Sequence, residues 1–167
     1  MTHHIQGKEH SLEQTLNDAI AVERLVVEAD RRLANECPPE LKPKFEKMSE
    51  DDNFHAENFR RVLTNYGGQE TGPSEFTSKL MDSCREVFDS SEPFLRKLGA
   101  YNLLKDKVLS DAMATAVMCY ATGDRDCEQT MALNITENMA HQVTLGGNAI
   151  DMIAVKAESM KKGEKAA

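Results

Sequence analysis

The sequence contains no apolar run approaching the ~18 residues of a membrane-spanning helix, so no membrane partner is expected. The first ten residues, Met1 to His10, are polar and lack the apolar stretch of a signal peptide; a cytoplasmic location is the expectation. Basic residues are in deficit. Lys and Arg number 20 against 28 Asp and Glu, a formal net charge of −8, which argues against nucleic acid as a partner because a phosphate backbone demands a basic face. The four cysteines, Cys37, Cys84, Cys119 and Cys127, include no Cys-x-x-Cys pair, so a zinc ribbon or thioredoxin-type site is unsupported. Reduced thiols are the expected state, although Cys119 and Cys127 flank a turn and leave a disulfide between them open. Alternating polar and apolar runs long enough for a sheet are missing as well.

What is present is helical punctuation. Ser11 followed by Gln14 is a capping-box pattern and predicts a first helix from there to about Asn35. Cys37-Pro38-Pro39 breaks it. A second helix is predicted from about Pro39 to Asn65, with Pro43 marking either its true first turn or a bend. Gly67-Gly68 ends it. After a loop over 69–73, Ser74 to Phe88 reads as a shorter helix with Phe76, Leu80, Cys84 and Phe88 as its apolar stripe. A turn at 89–91 leads to a further segment from Pro93. A third long helix is predicted from Tyr101 to Ala121, stopping at Gly123, and a fourth from Asp126 to Glu158, with Gly146-Gly147 as its weak point. Residues 1–10 and 159–167 read as tails around one domain at 11–158. Two long hairpins joined by a crossover that carries short helices define the expected fold: an all-α, antiparallel four-helix bundle with one long crossover.

At about 100° per residue, polar groups fall on the inner stripe of every long helix. Leu16, Ile20, Glu23, Val27, Asp30 and Ala34 share one face of the first. Phe45, Met48, Asp52, His55 and Phe59 share one face of the second. Asp111 is the only charged residue between Val108 and Gly123. In the fourth helix Asn134, Asn138 and His141 lie on the inner stripe, with Glu137 at its edge. A buried carboxylate is costly unless paired, hydrogen-bonded or bound to a cation. Asp52 with His55, and Asn138 with His141, stand three residues apart, so each pair projects from one face about 4.5 Å apart along the axis and can share a metal ion. Carboxylate oxygen with imidazole nitrogen suits iron, manganese or zinc. Asp30 and Asn134 read as ends of the polar network, and Tyr101 as packing.

The segment Glu50 to Phe59, E-D-D-N-F-H-A-E-N-F, resembles the second helix of the ferritin-like superfamily, the ferritins, bacterioferritins and rubrerythrins, and the likeness extends over roughly residues 11–158. That family supplies one Glu each from helices one and three and one Glu-x-x-His each from helices two and four. The resemblance implies a metal site at Glu23, Asp52, His55, Asp111, Asn138 and His141, with Glu137 as a substitute for the neutral Asn138. The offsets from Glu23 to Asp111 and from His55 to His141 are read as relating the two hairpins. The implied cofactor is iron or another divalent metal, with fewer than two ions per chain because Asp52 is short and Asn138 neutral. The implied activity is Fe(II) oxidation or peroxide chemistry in a stress role, and a homodimer is a further expectation. The alternative is a metal-free bundle in which carboxylates and histidines bond one another, with a structural, stress-related or interaction role.

Overall fold

The structure, a computed structural model, describes residues 3–164 and the side chains of 12–150. The first helix, α1, spans His3–Glu36. It begins before Ser11, so the capping-box pattern there does not mark its start; residues 1–2 and 165–167 lie outside the described residues. Pro38 and Pro39 interrupt it, and α2, Lys42–Asn65, starts with Pro43 in its first turn. A proline is tolerated there because the amide hydrogen it lacks would have had no helical acceptor.

Three further helices follow: α3, Glu75–Asp89, α4, Phe94–Thr122, and α5, Arg125–Glu164. Among the described residues there is no strand. α1 packs on α2, α4 packs on α5, and α1–α4 and α2–α5 contacts close the bundle. The expected segment from Pro93 and the expected third helix are one element. Pro93 caps it, and Gly99 does not interrupt it. Gly123 ends it at φ 76°, in the left-handed region that glycine adopts without strain. α5 likewise continues through Gly146-Gly147.

The crossover is strapped to α1 by two adjacent residues. Asn17 donates to the carbonyl of Gln69 (3.1 Å) and accepts from the amide of Thr71 (2.8 Å). Asp18 accepts from the Ser74 amide (2.5 Å), the Ser74 hydroxyl (2.8 Å) and the Thr77 hydroxyl (2.7 Å). Ser74 is itself the N-cap of α3. These bonds set the rotation of α3. Thr77, Met81, Cys84 and Phe88 face inward, whereas Phe76, expected on the inner stripe, is 72% exposed. Phe76 is one residue, about 100° of helix, from the threonine that Asp18 holds. The inward residues of α3 are thus Thr77 and three apolar side chains, and no carboxylate or histidine is among them.

At the α4–α5 turn Cys119 and Cys127 form a disulfide, with Cα atoms 5.7 Å apart; the expectation of four reduced thiols holds only for Cys37 and Cys84. The two-residue turn brings the helix ends close enough for the bond. Closing so short a loop contributes about 2 kcal/mol, so thiol reduction is expected to lower the midpoint of thermal unfolding followed by circular dichroism.

Burial would raise the Asp18 pKa, but the bonds from Ser74 and Thr77 and the charge of Lys107 outweigh it and hold the carboxyl below its ordinary value. A depressed acid contributes stability above its unfolded pKa and loses it as pH falls through the folded value. Asp18→Asn is therefore expected to cost about 2 kcal/mol at pH 7, with a smaller gap to wild type at a pH below the ordinary aspartate value. Urea unfolding at the two pH values checks this.

Candidate metal centre

The inner stripes meet at mid-height of the bundle. α1 brings Glu23 and Asp30, α2 brings Asp52 and His55, and α5 brings Asn138 and His141. All are buried, with Glu23, Asp30, Asp52, His55 and Asn138 at 0% exposure. Glu137 and Asp51 stand at the rim, their side chains 37% and 20% exposed.

α4 brings Lys105, not Asp111. The Lys105 ammonium is fully buried and donates to Asp52 Oδ1, to Asn138 Oδ1 (2.8 Å) and to His141 Nδ1 (3.2 Å). It also lies 5.7 Å from the centre of the Tyr101 ring, and the Tyr101 hydroxyl donates to Asp52 Oδ2 (3.5 Å). Asp111 lies six residues, about 9 Å of helix, nearer the α4–α5 turn. Both its oxygens bind Lys107, and burial pushes its carboxyl up to about 6 against the pull of that lysine. The expected convergence thus holds for Glu23, Asp52, His55 and His141 but not for Asp111. In an antiparallel hairpin, residues level with each other are equidistant from the turn. By that measure Lys105, not Asp111, is level with His141 and is the counterpart of Glu23.

The two halves of the centre are built alike. Asp51-Asp52-x-x-His55 on α2 corresponds to Glu137-Asn138-x-x-His141 on α5. The first residue of each reaches across to the other's histidine: Glu137 Oε2 is 2.7 Å from His55 Nε2, and Asp51 Oδ2 is 3.4 Å from His141 Nε2. A carboxylate only accepts, so Nε2 of each ring carries a hydrogen and Nδ1 faces the interior. The expected choice between Asn138 and Glu137 resolves into two positions. Asn138 is inside, and Glu137 supports His55 from the rim.

The halves differ in what Nδ1 meets. His141 Nδ1 accepts from the Lys105 ammonium. His55 Nδ1 faces anions: Glu23 Oε1 at 3.3 Å and Asp52 Oδ1 at 3.3 Å. Burial would lower the His55 pKa, but Asp52, Glu23 and Glu137 together raise it to about 10. Burial and the neighbouring Asp52 charge push Glu23 up. Asp52 goes the other way. Burial opposes its ionisation, but the Lys105 charge and the hydrogen bond from His55 hold it far below the usual carboxylate range. Among the described residues no donor reaches Glu23 Oε2.

Ligand atoms of Glu23, Asp52 and His55 lie within 4.8 Å of one another, close enough to converge on one ion. This oxygen–oxygen–nitrogen set suits iron, manganese or zinc, and the unpartnered Glu23 oxygen gives the ion a further donor. Asp30 and Asn134 extend the network. Asn134 accepts from Asn58 (2.8 Å), and burial with the Asp52 charge pushes Asp30 well above its ordinary value.

Fold and centre together define an all-helical bundle whose two half-sites carry a matching residue pattern on α2 and α5. The same fold appears in a Xanthomonas campestris protein of known crystal structure, at TM-score 0.73 and 16% identity over 92% of this chain and 98% of that one. It appears too in the Escherichia coli stress protein YciF, at TM-score 0.72 and 17% identity over 87% of this chain and 96% of that one. No protein-family model matches the sequence, and no curated protein matches it either.

Breaking a buried ion pair strands the remaining charge and costs about 3–5 kcal/mol. Asp52→Asn leaves Lys105 facing two neutral acceptors and a histidine, and is expected to destabilise the metal-free protein by that amount. Chemical denaturation in the presence of chelator measures it.

Proposed function

We propose that the protein binds one divalent metal ion, iron or manganese, through Glu23, Asp52 and His55, and serves a stress-related role in the manner suggested by its likeness to YciF. The observation that carries this is the contrast between the two histidines. His141 Nδ1 faces a cation already, the Lys105 ammonium. His55 Nδ1 faces two buried carboxylates, an environment that calls for a positive partner. A bound iron or manganese ion would supply one-electron redox chemistry towards oxygen or peroxide. The chain's own contribution is to place three donors, to fix the His55 ring through Glu137, and to keep the centre behind the half-exposed rim of Glu137 and Asp51.

Anaerobic titration with Fe(II), and with Mn(II) followed by electron paramagnetic resonance, is expected to give one tight equivalent per wild-type chain. His55→Ala removes the only nitrogen donor of the set and is expected to weaken binding by about a hundredfold. Absence of tight binding in the wild type would leave the metal-free bundle, whose core the Lys105–Asp52 pair closes by itself.

A further inference from the structure

We infer that Lys105 is a fixed internal cation that stands where a second metal ion would otherwise bind, so that the half-site of Lys105, Asn138 and His141 is closed to metal. This rests on the proposed reading of Glu23, Asp52 and His55 as a metal site. The correspondence between halves is positional. Asn138 answers to Asp52, His141 to His55, and Lys105 to Glu23. Each substitution exchanges negative charge for neutral or positive. Glutamate is replaced by lysine and aspartate by asparagine, while the histidine and its cross-bundle carboxylate are kept.

The ammonium makes the contacts a metal in that half would make. It takes Asn138 Oδ1 at 2.8 Å, His141 Nδ1 at 3.2 Å, and Asp52 Oδ1, an oxygen that both halves share. Its three hydrogens match three acceptors. Lys105 is 0% exposed and its side chain is walled by Tyr101, so the ammonium is not a surface group that can swing aside. A dication entering that half would meet a buried like charge at hydrogen-bonding range and only one neutral oxygen and one nitrogen of its own. Lys105 also acts on the first half. It draws on Asp52, a ligand there, and its charge opposes any ion beside it. It therefore sets both the number of ions and the affinity for the one admitted.

Two variants test this with Mn(II) as the probe, read by paramagnetic resonance stoichiometry and by the Mn(II)-induced shift in thermal midpoint. Lys105→Met keeps the unbranched stem of the side chain, one atom shorter, and removes the charge. The double variant Lys105→Glu with Asn138→Asp gives the second half the donor set of the first. With a unit charge removed from the vicinity of the ion, Lys105→Met is expected to bind one equivalent about tenfold or more tighter than wild type, and to gain more in thermal midpoint on Mn(II) addition. The double variant is expected to bind two equivalents. Two equivalents in the wild type would overturn the inference. So would a Lys105→Met protein whose affinity is equal to or weaker than wild type, or a folded double variant that gains no ion. Should the double variant fail to fold, Lys105→Met decides alone. Failure of the underlying metal reading is distinguishable. A wild type that binds no Mn(II), with Lys105→Met gaining an equivalent, removes the proposed function and keeps Lys105 as the excluding cation. No binding in wild type and both variants overturns both.

Discussion

An ammonium buried at mid-height on Asp52 is the interaction on which the rest of the core depends. Moving a lysine charge out of water costs several kcal/mol even after relaxation, and the cost is offset only when acceptors surround it. Lys105 has them from two helices, α2 and α5, while sitting on α4 itself. Because an ammonium only donates, it dictates the states of its neighbours. Asn138 must turn its oxygen inward, and its amide nitrogen is thereby aimed at the other half, 3.3 Å from His55 Nδ1 and 3.5 Å from Glu23 Oε1. His141 must present a bare Nδ1, so its hydrogen sits on Nε2, towards Asp51. One cation thus sets an amide orientation and a histidine tautomer and, through them, the role of a rim carboxylate.

That chain of constraint separates two halves with nearly the same backbone plan. One is satisfied by the protein's own lysine. In the other, two buried carboxylates meet across an imidazole nitrogen, with a glutamate oxygen lacking any donor among the described residues. Charges at this depth are weakly screened, so whichever cation fills the first half, proton or metal, does so under the field of Lys105. The disulfide at the α4–α5 turn and the Asn17–Asp18 strap at the crossover lie away from the cluster. Both restrain connections between helices, which keeps the four inner stripes in register around groups that tolerate little displacement.

Much of this was legible in the sequence. Glu23, Asp52, His55 and His141 sit on helical stripes that are otherwise apolar, and burial follows from that placement. Prolines and glycines located the long helices to within a few residues, apart from the starts of α1 and α4 and the end of α5, which continues past Glu158 to Glu164. Lys105 escaped notice because a lysine on an apolar stripe ordinarily lays its stem along the core and carries its charge out to water. Here Tyr101 and the acceptors of α2 and α5 surround the charge instead. The signal was its spacing, four residues after Tyr101 and three before Val108, both buried. Asp111 was misplaced for a geometric reason. Near-equal sequence offsets between the hairpins do not keep residues level, because level residues are equidistant from their own turn. Phe76 was misplaced because a four-residue apolar spacing says nothing of the hydrogen bonds that hold Thr77 to Asp18.

Asp30 shows how little anionic charge the core can spare. It lies two turns beyond Glu23 on the same face of α1, fully buried, and among the described residues hydrogen bonds from neighbouring side chains do not satisfy either of its oxygens. Burial, reinforced by the Asp52 charge, drives it towards the neutral acid, since two adjacent carboxylates in a medium of low polarity do not both ionise readily. The negative charge within reach of an added cation is then that of Glu23 and Asp52 inside and of Glu137 and Asp51 on the rim, and Lys105 already neutralises one of these. The three that remain fall short of the four charges of two dications, and only one of them, that of Glu23, lies inside the cluster. The limit on how many ions such a bundle can hold is therefore set by electrostatic capacity as well as by the position that Lys105 occupies.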